Sequence, residues 1–329
     1  MTAYTIERNT TASRFAIWAA GGCILLLYSM PWWATASQMR AAIEIICFVV
    51  IAQMWNLMAG YGGMISVGQQ AFVGLGGYAL FLFAQHLKVH PFLAWPLAGL
   101  TTALLAIPLA KVVFRMRGGY FAIGTWVVAE TLRIAISNVQ LLGAGSGQSL
   151  TVMVRVPQPF RSDMTLWLAC SLLLGCLAGI YFLLRSRFGL GLTALRDSEA
   201  AAESQGVAVD RLKLQVYVVA AFGTGLAGAL YYLSALRISP GAGFDITWVV
   251  AATFIVVIGG IGTLEGPLVG AAVFFGLRWL LADFGVWYWL VLGGCAIAVM
   301  VMFPKGLWGY LQHRYRWHLF PVQYRLKIK

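Results

Sequence analysis

Apolar and polar segments alternate along almost the whole chain of 329 residues. A helix needs about 20 mostly apolar residues to cross a bilayer, and ten segments come close to that length. We therefore predict an all-α, polytopic membrane helix bundle with about ten transmembrane helices, near 15–34, 41–59, 68–86, 92–110, 119–139, 165–184, 214–234, 247–262, 266–282 and 286–303. Glycine and polar residues interrupt the third and the eighth segments, which indicates broken helices.

The composition supports this class. Hydrophobic residues make up 60% of the chain and charged residues only 10%, whereas soluble domains contain about 25% charged residues. The net charge is +12, and the basic residues lie in short loops and a tail beside the apolar segments. This distribution is typical of the cytoplasmic loops of membrane proteins, and it does not favour nucleic acid as a partner.

The basic residues also predict an orientation. With the N-terminus inside, 16 of the 23 lysines and arginines lie in cytoplasmic segments, so we predict that both termini are cytoplasmic. The chain then divides into a cytoplasmic tail over 1–14, a transmembrane domain over 15–303 and a basic cytoplasmic tail over 304–329. The transmembrane domain contains an external loop over 140–164 and an internal loop over 185–213.

The first apolar segment allows a second interpretation. Ala34, Thr35 and Ala36 resemble the cleavage site of a signal peptide. The segment is longer than a usual signal core, and it contains tryptophans, which favour a membrane interface. We therefore favour a retained span.

The internal loop contains a short predicted helix. Asp197 or Ser198 is suited to cap its N-terminus, three alanines follow, and Gly206 is placed to end it. Glu199 and Glu203 are four residues apart and share one face of this helix. A small polar helix at the membrane surface is suited to be held by another protein, and an ordinary solvated loop is the alternative.

The segment from Gly60 to Ala79 combines seven glycines with a serine and two glutamines. Irregular backbone at membrane depth is tolerated only where protein or a water-filled cavity covers it, and transporters use broken helices in this way. Ser66, Gln69 and Gln70 are therefore candidates for a substrate path, and close helix packing is the alternative. The positions that we expect to break helices or to allow close packing are Gly60, Gly62, Gly63, Gly68, Gly76, Gly77, Gly259, Gly260, Gly262 and Gly266.

Charged residues are rare inside the predicted spans. Glu130 and Arg133 lie three residues apart in the fifth span, where a charge is costly and usually paired. A mutual ion pair within the bundle is one interpretation, and a gate or a substrate contact is the other. Most acids lie outside the spans, which argues against a transporter driven by ion coupling.

Catalytic and metal-binding patterns are missing from the sequence. The five cysteines lie in apolar segments, and the four histidines show no ligand spacing. The nucleotide-binding pattern G-x-x-x-x-G-K-[ST] is absent as well. We therefore expect no cofactor, no metal and no enzymatic activity in this chain, and ATP would have to be bound by another subunit.

Four groups of residues, taken in their order and spacing, resemble the permease subunits of ABC importers for branched-chain amino acids, the LivH/LivM family. The resemblance covers about residues 40–305, and the LivM-like member fits best. The matching stretches are Gly63–Phe72 with Gly76–Tyr78, Arg117–Ile123 with Glu130–Arg133, Leu195–Gly206 with Ala220–Leu230, and Gly259–Ala271.

The resemblance implies partners. The chain would form half of a permease pore with a homologous LivH-like subunit, two cytoplasmic ABC ATPase subunits would drive it, and an extracytoplasmic binding protein would deliver substrate. The internal loop of this family contacts the ATPase, and the usual motif there has one residue fewer before its glycine. The residues of this chain that would form the ATPase-coupling helix are Arg196, Asp197, Glu199, Glu203 and Gly206.

The function implied is import of amino acids, branched-chain or otherwise hydrophobic, across the bacterial inner membrane by alternating access. Urea and short amides are carried by similar permeases and are the alternative substrates. A secondary transporter or channel that needs no ATPase and a membrane-embedded enzyme are the alternatives of other classes. ATP-dependent uptake would distinguish the importer from a secondary transporter or channel. A cluster of catalytic side chains would indicate an enzyme.

Overall fold

A computed structural model describes residues 4–7, 11–281, 284–285, 287–303, 305–315 and 325–328. These residues form a helical bundle, as the apolar pattern predicts. Its helices are α1 (Thr11–Tyr28), α2 (Ala36–Asn56), α3 (Gln69–Phe81), α4 (Pro91–Val113), α5 (Gly119–Ser137), α6 (Gln158–Arg185), α7 (Arg187–Asp197), α8 (Glu199–Ser204), α9 (Val209–Ala235), α10 (Pro240–Gly243), α11 (Thr247–Gly259), α12 (Gly266–Leu280), α13 (Trp287–Met302) and α14 (Gly306–Tyr315).

Two short antiparallel strand pairs connect distant parts of the chain. Strand β1 (Tyr4–Glu7) pairs with β4 (Arg325–Ile328), so the two terminal segments lie side by side. Strand β2 (Gln148–Ser149) pairs with β3 (Arg237–Ile238) and joins the loop before α6 to the end of α9. These strands are too short to change the all-α class.

Each of the ten predicted spans contains a helix. Within the part of the chain that the structure describes, six segments are long and apolar enough to cross a membrane, and α12 is a shorter apolar helix. The chain is therefore a multi-pass membrane protein, whereas the count of ten and the orientation stay predictions, and parts of the tails 1–14 and 304–329 lie outside the described residues. The six segments are Ala36–Tyr61, Pro91–Val113, Gln158–Arg185, Val209–Ala235, Pro240–Gly259 and Leu290–Gln312.

Two of the expected loops contain more helix than the sequence suggests. Helix α6 begins inside the expected external loop because a proline is favoured in the first turn of a helix, and Pro159 stands there. The expected internal loop contains α7 in addition to the one short helix foreseen. Ser186 caps α7, its side chain accepting a hydrogen bond from the Phe188 backbone N–H at 3.2 Å.

Helices α2 and α9 form the core of the bundle. In an apolar stretch of 18 consecutive residues from each span, 72% of the residues are buried in Ala36–Tyr61, which contains α2, and 78% in α9, against 28% in α4 and 33% in α6. Helix α9 packs against α2, α3, α4 and α6. The outer helices therefore keep apolar faces that lipid or another subunit must cover.

Candidate functional site

The helical backbone is interrupted between α2 and α3. After α2 the chain forms a π-helical turn over Leu57–Tyr61 and then non-helical backbone up to Gly68. We call residues 57–68 the first glycine break, and it includes Gly60, Gly62, Gly63 and Gly68. Trp55 Nε1 donates to the Ser66 backbone oxygen at 2.8 Å, and the Thr125 hydroxyl accepts from the Val67 N–H at 3.1 Å. Side chains of α2 and α5 thus satisfy backbone groups that lipid could not.

Ser66, Gln69 and Gln70 lie inside the bundle and are at most 1% exposed. The Ser66 hydroxyl accepts a hydrogen bond from the Gly68 N–H at 3.1 Å. Gln69 Nε2 donates to the Thr224 hydroxyl of α9 at 2.7 Å. The Oε1 atoms of Gln69 and Gln70 have no hydrogen-bond donor among the described residues. Their role in a substrate path stays a prediction, and Gln69 is the residue among them whose hydrogen bond reaches α9.

The later glycines of this segment allow α3 to approach α9. A Cβ atom on Gly76 would lie 2.1 Å from the Gly225 backbone oxygen, and one on Gly77 would lie 2.6 Å from the Tyr232 ring. Real Cβ contacts are not that short, so the two helices could not cross at this distance with larger residues. These glycines have the close-packing geometry that membrane helices use.

A second interruption separates α11 from α12. We call residues 260–265 the second glycine break, and it lies between Gly259 and Gly266. Gly260 and Gly262 have φ values of +136° and +74°. Residues other than glycine rarely adopt such positive φ values. The sharp change of direction there depends on these two glycines.

Two amide side chains of α2 hold the second break. Gln53 Nε2 donates to the Leu264 backbone oxygen at 2.7 Å. Asn56 Nδ2 donates to the Thr263 backbone oxygen, and Asn56 Oδ1 accepts from the Gly262 N–H, both at 2.8 Å. Neither amide stood out in the sequence, since a single Gln or Asn in an apolar helix carries no recognisable pattern.

The two breaks meet each other and the end of α7. A Cβ on Gly60 would lie 2.6 Å from the Gly262 nitrogen, and one on Gly63 would lie 3.3 Å from the Arg196 Cα. A Cβ on Gly262 would lie 3.7 Å from Arg196 Nη1. We call this meeting point of both breaks, Asn56 and Arg196 the glycine junction. It connects residues that are about 200 positions apart in sequence.

Helix α8 follows directly after α7 and presents its outer side to solvent. The Ser198 hydroxyl caps it by accepting from the Ala201 N–H at 3.3 Å, and Gly206 ends it with a φ of +82°. The Glu199 carboxylate pairs with Lys213 of α9 at 2.5 Å, whereas Glu203 is exposed. The two acids therefore differ in their surroundings, although both are on α8.

Arg196 and Asp197 form an ion pair at the end of α7. Their charged groups are 3.3 Å apart, and the side chains are 44% and 68% exposed. Exposed pairs contribute about 0–1 kcal/mol, so this pair adds little stability. The contact of Arg196 with the glycine junction is its more informative feature.

Glu130 and Arg133 form the ion pair that their spacing suggests. The pair lies on an outer face of α5 and not deep in the bundle: Arg133 is 36% and Glu130 42% exposed. Ile123, Val127 and Ile134 are exposed on the same helix. The residues of α5 that are buried are Phe121, Gly124, Thr125 and Ala129, so the ion pair lies at the edge of its buried face.

Among the described residues, no group of His, Cys, Asp and Glu side chains is arranged to hold a metal ion. The polar features of the site are therefore the two breaks, the amides that hold them and the α7–α8 segment. All of them lie at helix ends or on the buried helices α2, α3 and α9.

Comparison with known proteins identifies similar chains. Residues 37–302 match the family model described as the permease component of branched-chain amino acid transport systems. The chain is 25% identical over 315 residues to the high-affinity branched-chain amino acid transport system permease protein LivM of Salmonella typhimurium and to that of Escherichia coli, covering 86% of this chain and 73% of each relative. A probable LivM permease of Methanocaldococcus jannaschii is 24% identical over 202 residues, covering 56% of this chain and 58% of the relative. No solved structure matches the chain.

Proposed function

Because the chain belongs to the permease family of branched-chain amino acid transport systems, we propose that it is a membrane subunit of an ABC importer for branched-chain or other hydrophobic amino acids. A homologous permease subunit completes the pore, two cytoplasmic ATPase subunits bind and hydrolyse ATP, and an extracytoplasmic binding protein delivers the substrate. The bacterial inner membrane is the site of this assembly. The relatives named as LivM permeases support the substrate class.

The glycine junction is the observation that supports the mechanism best. The α7–α8 segment touches both breaks through Arg196, and its outer helix α8 is open to a partner. A displacement of α8 by an ATPase subunit would therefore reach both interrupted helices at one point. Alternating access driven by a separate ATPase needs such a connection, and transporters commonly build their access path from interrupted helices.

The proposed path follows the first break towards α9. An amino acid carries an ammonium group, which needs hydrogen-bond acceptors. The Oε1 atoms of Gln69 and Gln70 have no donor among the described residues, and a buried acceptor without a donor costs about 1–3 kcal/mol. Binding of an ammonium group would remove that cost. We assign Ser66, Gln69 and Gln70 to this path.

The outer face of α5 is the feature that favours the presence of a second permease subunit. Charged groups in contact with lipid are costly, and the Glu130–Arg133 pair is partly exposed between apolar side chains. A second subunit that covers this face would shield the pair from lipid. We therefore place Glu130 and Arg133 at the boundary between the two permease subunits.

Uptake of radiolabelled leucine by cells that express the chain together with its partner subunits tests the substrate and the energy source. We expect uptake to require the ATPase subunits and to be reduced by unlabelled isoleucine and valine. Uptake that persists without any ATPase subunit would contradict the importer. Competition by urea or acetamide in place of the amino acids would contradict the substrate class.

The Glu203→Lys variant tests docking of α8. Glu203 is exposed and outside the core, so the chain should fold normally but lose the bound ATPase subunits and the uptake of leucine. Asp163→Lys is the matched control: it reverses a charge near the start of α6, whereas α8 follows the end of α6. This variant should keep the bound ATPase subunits and the uptake of leucine. If Glu203→Lys retained the ATPase subunits and full uptake, α8 would not be the docking element.

A further inference from the structure

A surface groove lies between α7 and the start of α9. It encloses about 460 Å³, and its two walls are helix faces whose residues recur every three or four positions. Arg187 and Leu190 are on the α7 wall, Arg211 and Gln215 are on the α9 wall, and Gln205 and Val207 lie between them. Gln205 directly follows α8, whereas no residue of α8 itself lines the groove.

The groove is positively charged. Arg187 and Arg211 are both exposed, and no acidic side chain is among the residues that line it. Arg196 and Lys213, which lie in the same part of the chain, pair with Asp197 and Glu199. Neither Arg187 nor Arg211 has an ion pair with a described residue, so both guanidinium groups are open to an anion.

The groove lies at the ends of two candidate membrane spans, where we expect the membrane surface. Helices α6 and α9 are both long enough to cross a membrane, and the groove is formed where α6 has ended and α9 begins. At the end of α6, the Arg185 guanidinium lies 5.1 Å from the centre of the Tyr181 ring. Tyrosine and arginine at a span end are typical of the lipid headgroup region.

Exposed apolar side chains lie in the groove and beyond it along α9. Leu190 is 69% exposed beside the two arginines. On α9 the stripe of residues that includes Arg211 and Gln215 reaches Val219 one turn later, and Val219 is 36% exposed within the span. A ligand with a charged head and an apolar chain would therefore have complementary surface along its whole length.

We propose that this groove binds an anionic phospholipid. The phosphate lies between Arg187 and Arg211, because guanidinium groups bind phosphate through paired, charge-assisted hydrogen bonds. An acyl chain lies along Leu190 and Val219. A soluble subunit would not reach the part of this stripe that is embedded in the membrane, and this distinguishes a lipid from a protein as the occupant. The site needs only the membrane-inserted chain and is independent of the transported substrate.

The test uses the full chain, co-purified with its partner subunits and reconstituted in bilayers of equal parts phosphatidylglycerol and phosphatidylcholine. Lipids that stay bound after extraction are identified by native mass spectrometry. Wild type should retain phosphatidylglycerol in preference to phosphatidylcholine, whose headgroup has no net charge. Arg187→Gln and Arg211→Gln should each lower its retention about fivefold, the effect expected of one arginine at an anionic membrane surface.

Arg155→Gln is the matched control, since Arg155 is exposed in the loop before α6, at the other end of that helix. It should retain phosphatidylglycerol like the wild type. Equal retention by the wild type and by the double variant at positions 187 and 211 would overturn the proposal. Unchanged lipid retention with loss of the co-purified ATPase subunits would show that the groove binds protein, and that result would overturn it too.

Discussion

The side-chain amide of Asn56 joins two parts of the chain that are 206 positions apart. It uses both of its ends, donating to the Thr263 oxygen and accepting from the Gly262 nitrogen. Both backbone groups belong to a loop without regular secondary structure, so they have no partner in a helix. Together with Gln53, which donates to the Leu264 oxygen, Asn56 therefore keeps the second glycine break against α2.

We predict that Asn56→Leu destabilises the protein, because leucine has nearly the same size but no hydrogen-bonding groups. Each buried polar group left without a partner costs about 1–3 kcal/mol. Asn138→Leu is the control, since Asn138 is exposed and donates only to the Ile134 oxygen one turn earlier. Thermal unfolding of both variants in detergent measures the difference, and similar melting temperatures would contradict the role of Asn56.

Gly76 provides a second test at the scale of one residue. We predict that Gly76→Ala lowers the free energy of unfolding by about 1–3 kcal/mol, because the added methyl group would overlap the Gly225 oxygen and overpacking costs that much. Gly175→Ala in α6 meets no atom within 4 Å and should leave stability unchanged or slightly raise it. Equal loss in both variants would mean that the α3–α9 contact is not tightly packed.

At the scale of elements, the α7–α8 segment shows what sequence patterns reveal and what they miss. Ser198 and Gly206 mark the ends of α8, and that helix was foreseen. Helix α7 was not, because Gly189 and Gly191 reduce the apparent helical propensity of its sequence. The structure gives a reason for one of them: a Cβ on Gly189 would lie 2.0 Å from the Leu184 oxygen.

A charge swap distinguishes two possible roles of Glu199 in α8: pairing with Lys213, and recognition by a partner subunit. Its carboxylate pairs with Lys213, so we predict that Glu199→Lys detaches α8 from α9 and lowers leucine uptake. The double variant with Glu199→Lys and Lys213→Glu should restore much of the uptake, because the pair forms again with reversed signs. Uptake that stays low in the double variant would indicate that a partner subunit contacts the Glu199 carboxylate directly.

At the scale of the whole molecule, the sequence predicts the class and the places of the helices but not the arrangement of the core. Apolar residues are common on the lipid-facing and the buried sides of membrane helices alike, so the pattern could not show that α2 and α9 are central. It also could not place Glu130 and Arg133 on an outer face. The glycine-rich segments indicated the breaks, yet their contact depends on residues too distant for any local pattern.

The predicted orientation is tested by labelling single cysteines in intact cells, in a chain whose native cysteines are replaced. Ser204→Cys lies at the end of α8 and Ser146→Cys lies in the loop before α6, so α6, which is about 42 Å long at 1.5 Å per residue, separates them. We predict that a membrane-impermeant maleimide labels position 146 from outside and position 204 only after the membrane is permeabilised. The opposite result would reverse the orientation.

The closeness of Gly60 and Gly262 restricts how the molecule changes shape. The two backbones have no room to come closer to each other. If they separated, the hydrogen bonds between the second break and Asn56 would be lost. We therefore expect the two interrupted helices to move together at this point and not independently. We expect that a cross-link at either break would immobilise both, so that two interruptions in the sequence would act as one moving part.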